Sequence, residues 1–376
     1  MSGLYIHIPF CERKCIYCDF YSIEDRSSID RFLEALTIEM SSTASLVGEL
    51  RFETIFIGGG TPSLLNPAQL KNIFRTIAAH YSLSDNLEIT LEANPGTVTI
   101  ENLSGYRALG INRISFGIQS FHADELRFLG RIHSAEQAVE SIGLAREAGF
   151  STISVDMMTS LPGQTVQRLE QSLERALALE PQHISVYNLI VEKGTPLHRM
   201  VESGEAVLVT PDQDAALYEF TMEFLEMRGF EHYEVSNYAR PGFRSRHNSN
   251  YWNHSPYRGF GPSAHSFLSP KRWWNIPDVG AYCDRLLRGE SAIIGEEILD
   301  GKQLVEEAIF LGLRSDGLDL GRLTDHYGFA ITSPVRSLID RWIGDGLAVQ
   351  EGERLRLTSR GYQVCDELCL QMIGIE

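Results

Sequence analysis

The stretch LYIHIPFCERKCIYCDF, residues 4–20, decides how this chain folds. LYIHI (4–8) is short and rich in aliphatic residues, as a β-strand is. It runs directly into a loop that crowds Cys11, Cys15 and Cys18 into eight residues. The charged neighbours Glu12, Arg13 and Lys14 speak against three thiols buried in a core. A strand ending in a loop of reactive side chains is the unit of parallel α/β sheets. Their functional loops gather at the C-terminal ends of the strands.

The same rhythm continues downstream. ETIFI (53–57) stops at Gly58-Gly59-Gly60, and LEITLEA (87–93), NRISFGI (112–118), TISVDMM (152–158) and HISVYNL (183–189) follow. Helical patterns separate them. One starts near Ile29 with Phe32, Leu33, Leu36 and Met40 on one face; a second opens at Pro67, a favoured first-turn position; a third covers about 99–109. Six strand–helix units are fewer than a closed eightfold barrel needs. The expected fold is therefore α/β, an open, partial (β/α)6 TIM-like barrel over residues 1–235, ending in a helix (211–228) and a strand (231–235). Residues 236–300 read as a loop-rich connecting region, dense in aromatics, His and Asn, that contains HNSNYW (247–252). Gly259 to His265 reads as a structural loop closing the barrel region. Residues 301–376 run helix, short helix, helix, hairpin (347–358) and last helix (359–371), a small winged-helix-like domain. Cys365 and Cys369, spaced i, i+4, share a face of that last helix and read as core.

The 376 residues are 43% hydrophobic and 22% charged, the composition of a well-packed globular protein. A net charge of −17 makes a poor phosphate binder, so nucleic acid is not an expected partner. Asp316, Asp319, Asp325, Asp340, Asp345, Glu351 and Glu353 make the C-terminal domain acidic as well. The start lacks a basic, then apolar, leader, and no run is long enough to span a bilayer. A cytoplasmic location is expected, where cysteines stay reduced and serve as ligands, catalysts or core.

Three chemistries compete for the cysteine loop. Zinc wants four ligands, but Cys283, Cys365 and Cys369 lie far off, and His7 sits in an alternating strand where packing is the simpler role. Cys15-Ile16-Tyr17-Cys18 has redox spacing, which leaves Cys11 idle. A [4Fe–4S] cluster takes one thiolate per iron, so three thiolates leave one iron open to a chelating small molecule. Spacing favours the cluster and leaves the other two as alternatives.

Cys-x3-Cys-x2-Cys with an aromatic, Tyr17, before the third cysteine resembles the radical S-adenosylmethionine superfamily. YIHIPF (5–10), GGGTPS (58–63), LEANP (91–95), RISFGIQS (113–120), LGRIH (129–133) and LPGQT (161–165) narrow the resemblance. They are similar to the oxygen-independent coproporphyrinogen III oxidases and their relatives. The resemblance implies a [4Fe–4S] cluster on Cys11, Cys15 and Cys18. It implies S-adenosylmethionine contacts from Tyr5, Tyr17, Gly59, Gly60 and Thr61. Gln119, Arg131 and Asp156 match positions that hold a second S-adenosylmethionine in the oxidases. Glu92, at a strand end, suits an ammonium or sulfonium charge; a salt bridge to a neighbouring loop is the plainer reading.

Two departures separate the chain from the oxidases. Phe20 stands where they place a fourth cysteine, and the motif begins without their N-terminal extension. His247-Asn248-Ser249-Asn250-Tyr251-Trp252 matches the HNxxYW pattern of the family's haem-chaperone branch, a pattern associated with haem binding. That branch implies haem as ligand, an acceptor haemoprotein that includes membrane-bound ones, peripheral membrane association and a homodimer. His247 is the leading haem contact; His232, His254 and His265 are further imidazoles, and Tyr251 and Trp252 could stack on a porphyrin face. The rival reading is the enzyme itself, oxidative decarboxylation of coproporphyrinogen III to protoporphyrinogen IX.

Overall fold

The computed structural model describes residues 1–375. All six expected strands form: β1 (Gly3–Ile8), β2 (Arg51–Gly59), β3 (Ser82–Ala93), β4 (Arg113–Gln119), β5 (Thr152–Thr159) and β6 (His183–Asn188). They lie side by side in chain order and all run parallel. Helices Ile29–Ser42, Pro67–His80, Ile100–Ala108, Ala135–Glu147 and Val166–Ala178 make the crossovers.

Residue alternation explains the layering. Ile6, Ile57, Leu91, Phe116, Val155 and Ile184 turn outward into the main hydrophobic core, beneath the helices. The residues between them turn inward and are largely polar: Tyr5, His7, Thr54, Glu92, Ser115, Asp156 and Ser185. The concave side of the sheet is thus a polar interior, which is what a ligand-binding barrel requires.

The sheet is wider than the six units. Beyond β6 lie β8 (Asn237–Ala239) and β7 (Glu231–Glu234), both antiparallel to their neighbours. On the other flank β9 (Tyr257–Phe260) pairs parallel to β1, and β10 (His265–Leu268), β11 (Lys271–Asn275) and β12 (Ile293–Ile298) continue antiparallel. Twelve strands run from β12 to β7, and the sheet stays open between those edges. The stretch expected to be loop-rich, residues 236–300, therefore carries five strands, β8 to β12.

One buried ion pair fastens that flank. Glu39, on the first helix, bonds Arg258 (2.9 Å), Asn275 (2.7 Å), the Tyr282 hydroxyl (2.6 Å) and the Gly261 amide (2.9 Å). Glu39 lies on the same helix face as Leu36 and Met40, where hydrophobic patterning alone gives no reason for a carboxylate.

Residues from Ile309 to Met372 form a second core. It holds β13 (Leu318–Asp319), β14 (Ala348–Glu351) and β15 (Arg354–Leu357), with helices Gly301–Leu313, Leu320–Tyr327 and Ser333–Gly344. The expected last helix is two, Ser359–Gln363 and Cys365–Ile373. Cys365 and Cys369 are buried in this core.

Candidate cofactor site

A pocket of about 400 Å³ opens at the C-terminal ends of β1 to β6. It gathers eleven of the thirteen expected site residues: Cys11, Cys15, Cys18, Tyr17, Gly59, Gly60, Thr61, Glu92, Gln119, Arg131 and Asp156. Tyr5 and His247 lie outside its lining.

The cysteine loop is fixed by its main chain. The Cys11 amide donates to Ile23 (2.9 Å), and the Ile16 amide to Leu129 (3.4 Å). The Ile16 carbonyl accepts from Leu197 (2.9 Å), and Ile16 and Tyr17 pack on a small cluster around Leu161 and Leu197. All six cysteines are free thiols. Burial holds the Cys11 thiol above its usual range and pushes Cys18 up to about 11, so loading a metal here must expel protons. Arg131 supplies the compensating charge. Its Nη1 donates to Cys15 Sγ (3.4 Å), and its Nη2 to Asn94 Oδ1 (2.7 Å) and the Gly117 carbonyl (2.5 Å). Its Nε is buried with no partner among the described residues. Three free thiols on one wall, a fixed cation beside them and an orphaned donor fit an anionic iron–sulfur cluster.

The triple glycine does a job the sequence does not announce. A Cβ on Gly59 would lie 2.5 Å from the His7 ring, at φ +105°. A Cβ on Gly60 would lie 2.6 Å from the Phe10 carbonyl oxygen. These positions are small because β1 and the start of the cysteine loop press against them. Thr61 is held by its amide on the Phe10 carbonyl (2.7 Å), and its hydroxyl accepts from Asn94 (3.0 Å).

Two half-buried carboxylates face the pocket. Glu92 accepts from the Gly59 amide (3.1 Å) and makes no salt bridge among the described residues. Burial, then the Asp156 charge, pushes it up to about 8. Burial also raises Asp156, which accepts from Ser115 (3.0 Å). A cationic ligand would favour ionised Glu92. Below about pH 8 such a ligand must displace its proton, so affinity for S-adenosylmethionine should rise with pH and level off above about 8. Calorimetric titration across pH 6–9 reads this, and Glu92→Gln should flatten the profile. A wild-type affinity independent of pH would remove Glu92 from the ligand's charge.

The two absentees lie deeper. Tyr5 stacks on Phe56, and its hydroxyl meets His7 Nδ1 at 3.0 Å. His7 Nε2 meets the Tyr21 carbonyl at 2.7 Å, so His7 is packed as expected. His247 is buried toward the N-terminal ends of the strands, between Thr54 Oγ1 (2.8 Å from Nδ1) and the Tyr251 hydroxyl (2.9 Å from Nε2). Its ring stacks on Phe56, and burial lowers it to about 3, so it is neutral. The helix that carries it, Arg246–Trp252, is seated by Glu88, which accepts from the amides of Arg246 (3.1 Å) and His247 (2.9 Å). Of the other imidazoles, His232 is packed between Tyr238 and Tyr362, and His265 lies over Trp274.

Asn94, Ser115, Met158 and Tyr187 also line the pocket and were not singled out from sequence. A period-two step back from Gln119 reaches Gly117 and Ser115, and one step on from Asp156 reaches Met158. Asn94 follows Glu92 in the quoted LEANP.

Similarity to known proteins agrees with this geometry. The Radical SAM superfamily model matches residues 5–176, and the HemN C-terminal domain model matches residues 299–364. The chain superposes on Escherichia coli coproporphyrinogen III oxidase HemN with a TM-score of 0.85, at 23% identity, over 99% of this chain and 90% of that one. Fold and cysteine site together define a radical SAM protein with a HemN-type C-terminal domain. Within that class the chain is 37% identical to the heme chaperone HemW of Bacillus subtilis, over 100% of both chains. It is 35% identical to HemW of Mycobacterium tuberculosis H37Rv, over 99% of this chain and 95% of that one. The chain belongs to the HemW family. No helix among the described residues is long and apolar enough to cross a membrane.

Proposed function

We propose that this protein is a haem chaperone: it binds haem and passes it to acceptor haemoproteins, and carries a [4Fe–4S] cluster and S-adenosylmethionine. The observation that carries the reading is the full-length similarity to chains named heme chaperone HemW. Cys11, Cys15 and Cys18 would hold three irons of the cluster. The bound cluster supplies an open iron site and one-electron chemistry. The chain's own residues do the rest. Arg131 balances thiolate charge beside Cys15. Glu92 receives a cationic group, and Thr61 and the Gly59-Gly60 backbone form the adjoining wall. Membrane-bound acceptors and a homodimeric working form are part of this proposal, as is a haem contact through the HNxxYW segment.

The second reading is coproporphyrinogen III oxidation. Gln119, Arg131 and Asp156 favour it by lining the same pocket. Phe20 opposes it: the residue is 62% exposed at the pocket mouth, in the place of a fourth cysteine. Anaerobically reconstituted protein should turn over no coproporphyrinogen III with S-adenosylmethionine and a reductant, yet should give a Soret shift with haem. Protoporphyrinogen IX formation without a haem shift would replace the chaperone reading with the enzyme.

A further inference from the structure

The hairpin of β7 and β8 gathers buried polar atoms that the cofactor pocket does not use. Four of its side-chain atoms are buried without a partner among the described residues: His232 Nε2, Glu234 Oε1, Asn237 Oδ1 and Tyr238 Oη. Glu234 is 1% exposed and Asn237 4%. Burying a polar atom without a partner costs free energy, so such a cluster calls for an explanation.

Register brings two of these residues together. Glu234 and Asn237 face each other across the two-residue turn Val235-Ser236, as a directly opposed antiparallel pair. Opposed side chains on one face of a sheet stand within reach of each other. While the carboxyl is ionised, Glu234 Oε1 and Asn237 Oδ1 are both acceptors. One proton on Glu234 makes the first a donor, and each atom then satisfies the other. The second carboxyl oxygen accepts from the Ser236 amide (3.2 Å). Turning the Asn237 amide over would offer the carboxylate a donor, yet its charge would still lie buried without a cation.

The surroundings favour the neutral form. Tyr187 on β6, Tyr218 on the helix Pro211–Met227, Tyr233 on β7, Tyr238 on β8 and Tyr362 on the helix Ser359–Gln363 stand around Glu234. Burial raises every one of these phenols, and it lowers His232 to about 4, so all of them are neutral. Asp156 acts on Tyr187 and Glu226 on Tyr238, so further charges on those sides are negative. Of the cations, Arg113 and Arg244 lie near Tyr233, and Arg314 pairs with Asp366; none offsets Glu234.

The turn itself is a joint. The Val235 amide donates to the Arg314 carbonyl (3.0 Å), at the end of the first C-terminal helix. The Val235 carbonyl accepts from the Tyr218 hydroxyl (2.9 Å), and the Ser236 carbonyl from the Val186 amide of β6 (2.8 Å). We propose that Glu234 carries a proton shared with Asn237, and that this proton latches the turn tying the barrel to the C-terminal domain. Burial pushes the Glu234 carboxyl up to about 7, against the opposite pull of the Ser236 amide and Asn237. In the unfolded chain the same group ionises near 4.5. The latch therefore contributes fully below about pH 4.5, its contribution falls as pH rises towards 7, and no further loss follows above that.

Urea unfolding of the full chain from pH 5 to pH 8, for the wild type and for Glu234→Gln, tests the latch. The substituted amide donates to Asn237 at every pH and carries no charge. The unfolding equilibrium constant of the wild type, divided by that of the variant, should rise about fiftyfold over this range, most of it below pH 7. Other titrating groups cancel in the ratio. Hydrogen exchange of the Val235 amide, corrected for its intrinsic rate, should quicken over the same window in the wild type and not in the variant. A ratio that stays flat overturns the shared proton. A ratio that rises while Val235 exchanges only through global unfolding overturns the latch. Should Glu234→Gln not fold, Glu234→Met, equally uncharged, supplies the same ratio.

Discussion

Cys15→Ala is expected to leave the protein folded and almost free of iron. The loop around Cys15 is set by main-chain bonds to Ile23, Leu129 and Leu197, and by the packing of Ile16 and Tyr17. None of these uses the thiol. Truncation therefore costs little stability, while one iron loses its protein ligand and Arg131 loses the anion beside it. After anaerobic reconstitution, iron and sulfide should fall from about four of each per chain to near zero. The thermal midpoint measured without metal should stay close to that of the wild type. A variant that kept its full iron content would sink the three-thiolate assignment. Stoichiometric zinc in place of iron in the wild type would return the loop to the zinc reading.

Glu39→Ala is expected to be the most destabilising single change away from the cofactor site. Arg258 is fully buried, and its carboxylate partner nearly so. Removing the carboxylate strands a buried guanidinium and leaves Asn275, Tyr282 and the Gly261 amide short of an acceptor. Breaking such a pair from one side costs about 3–5 kcal/mol. The midpoint of urea unfolding should drop accordingly. Replacing both partners with methionine should recover part of the loss, because no unpaired charge then remains. A Glu39→Ala midpoint within about 1 kcal/mol of the wild type would mean that water reaches Arg258.

Much of the barrel was legible because each strand carries its own evidence. Apolar residues recur every second position, and glycines or polar clusters stop the run, as at Gly58 and Asn94. The flanking strands β9 to β12 were not legible for the opposite reason. β9 contains Arg258, which reads as solvent-loving until its partner, more than two hundred residues earlier, is known. β12 alternates between half-buried and exposed residues and includes Glu296 and Glu297, which suits a sheet edge and resembles a loop. At the site, residues at strand ends were legible because a parallel sheet gathers them. Depth was not. Tyr5 and Thr61 look equally placed in sequence, yet one lies a layer beneath the other. Where His247 sits depends on which end of the barrel its helix packs against, and that is a long-range outcome.

The HNxxYW helix has one further consequence. Toward the barrel it is tied through His247 to Thr54 and through its first amides to Glu88. Toward the C-terminal helices, the Asn253 carbonyl accepts from Arg322 (2.9 Å) and His254 meets Tyr327. This short segment works as an axle pinned at both ends. A tilt of the C-terminal helices would therefore load the inner wall of the barrel through short hydrogen bonds and not through a slack linker.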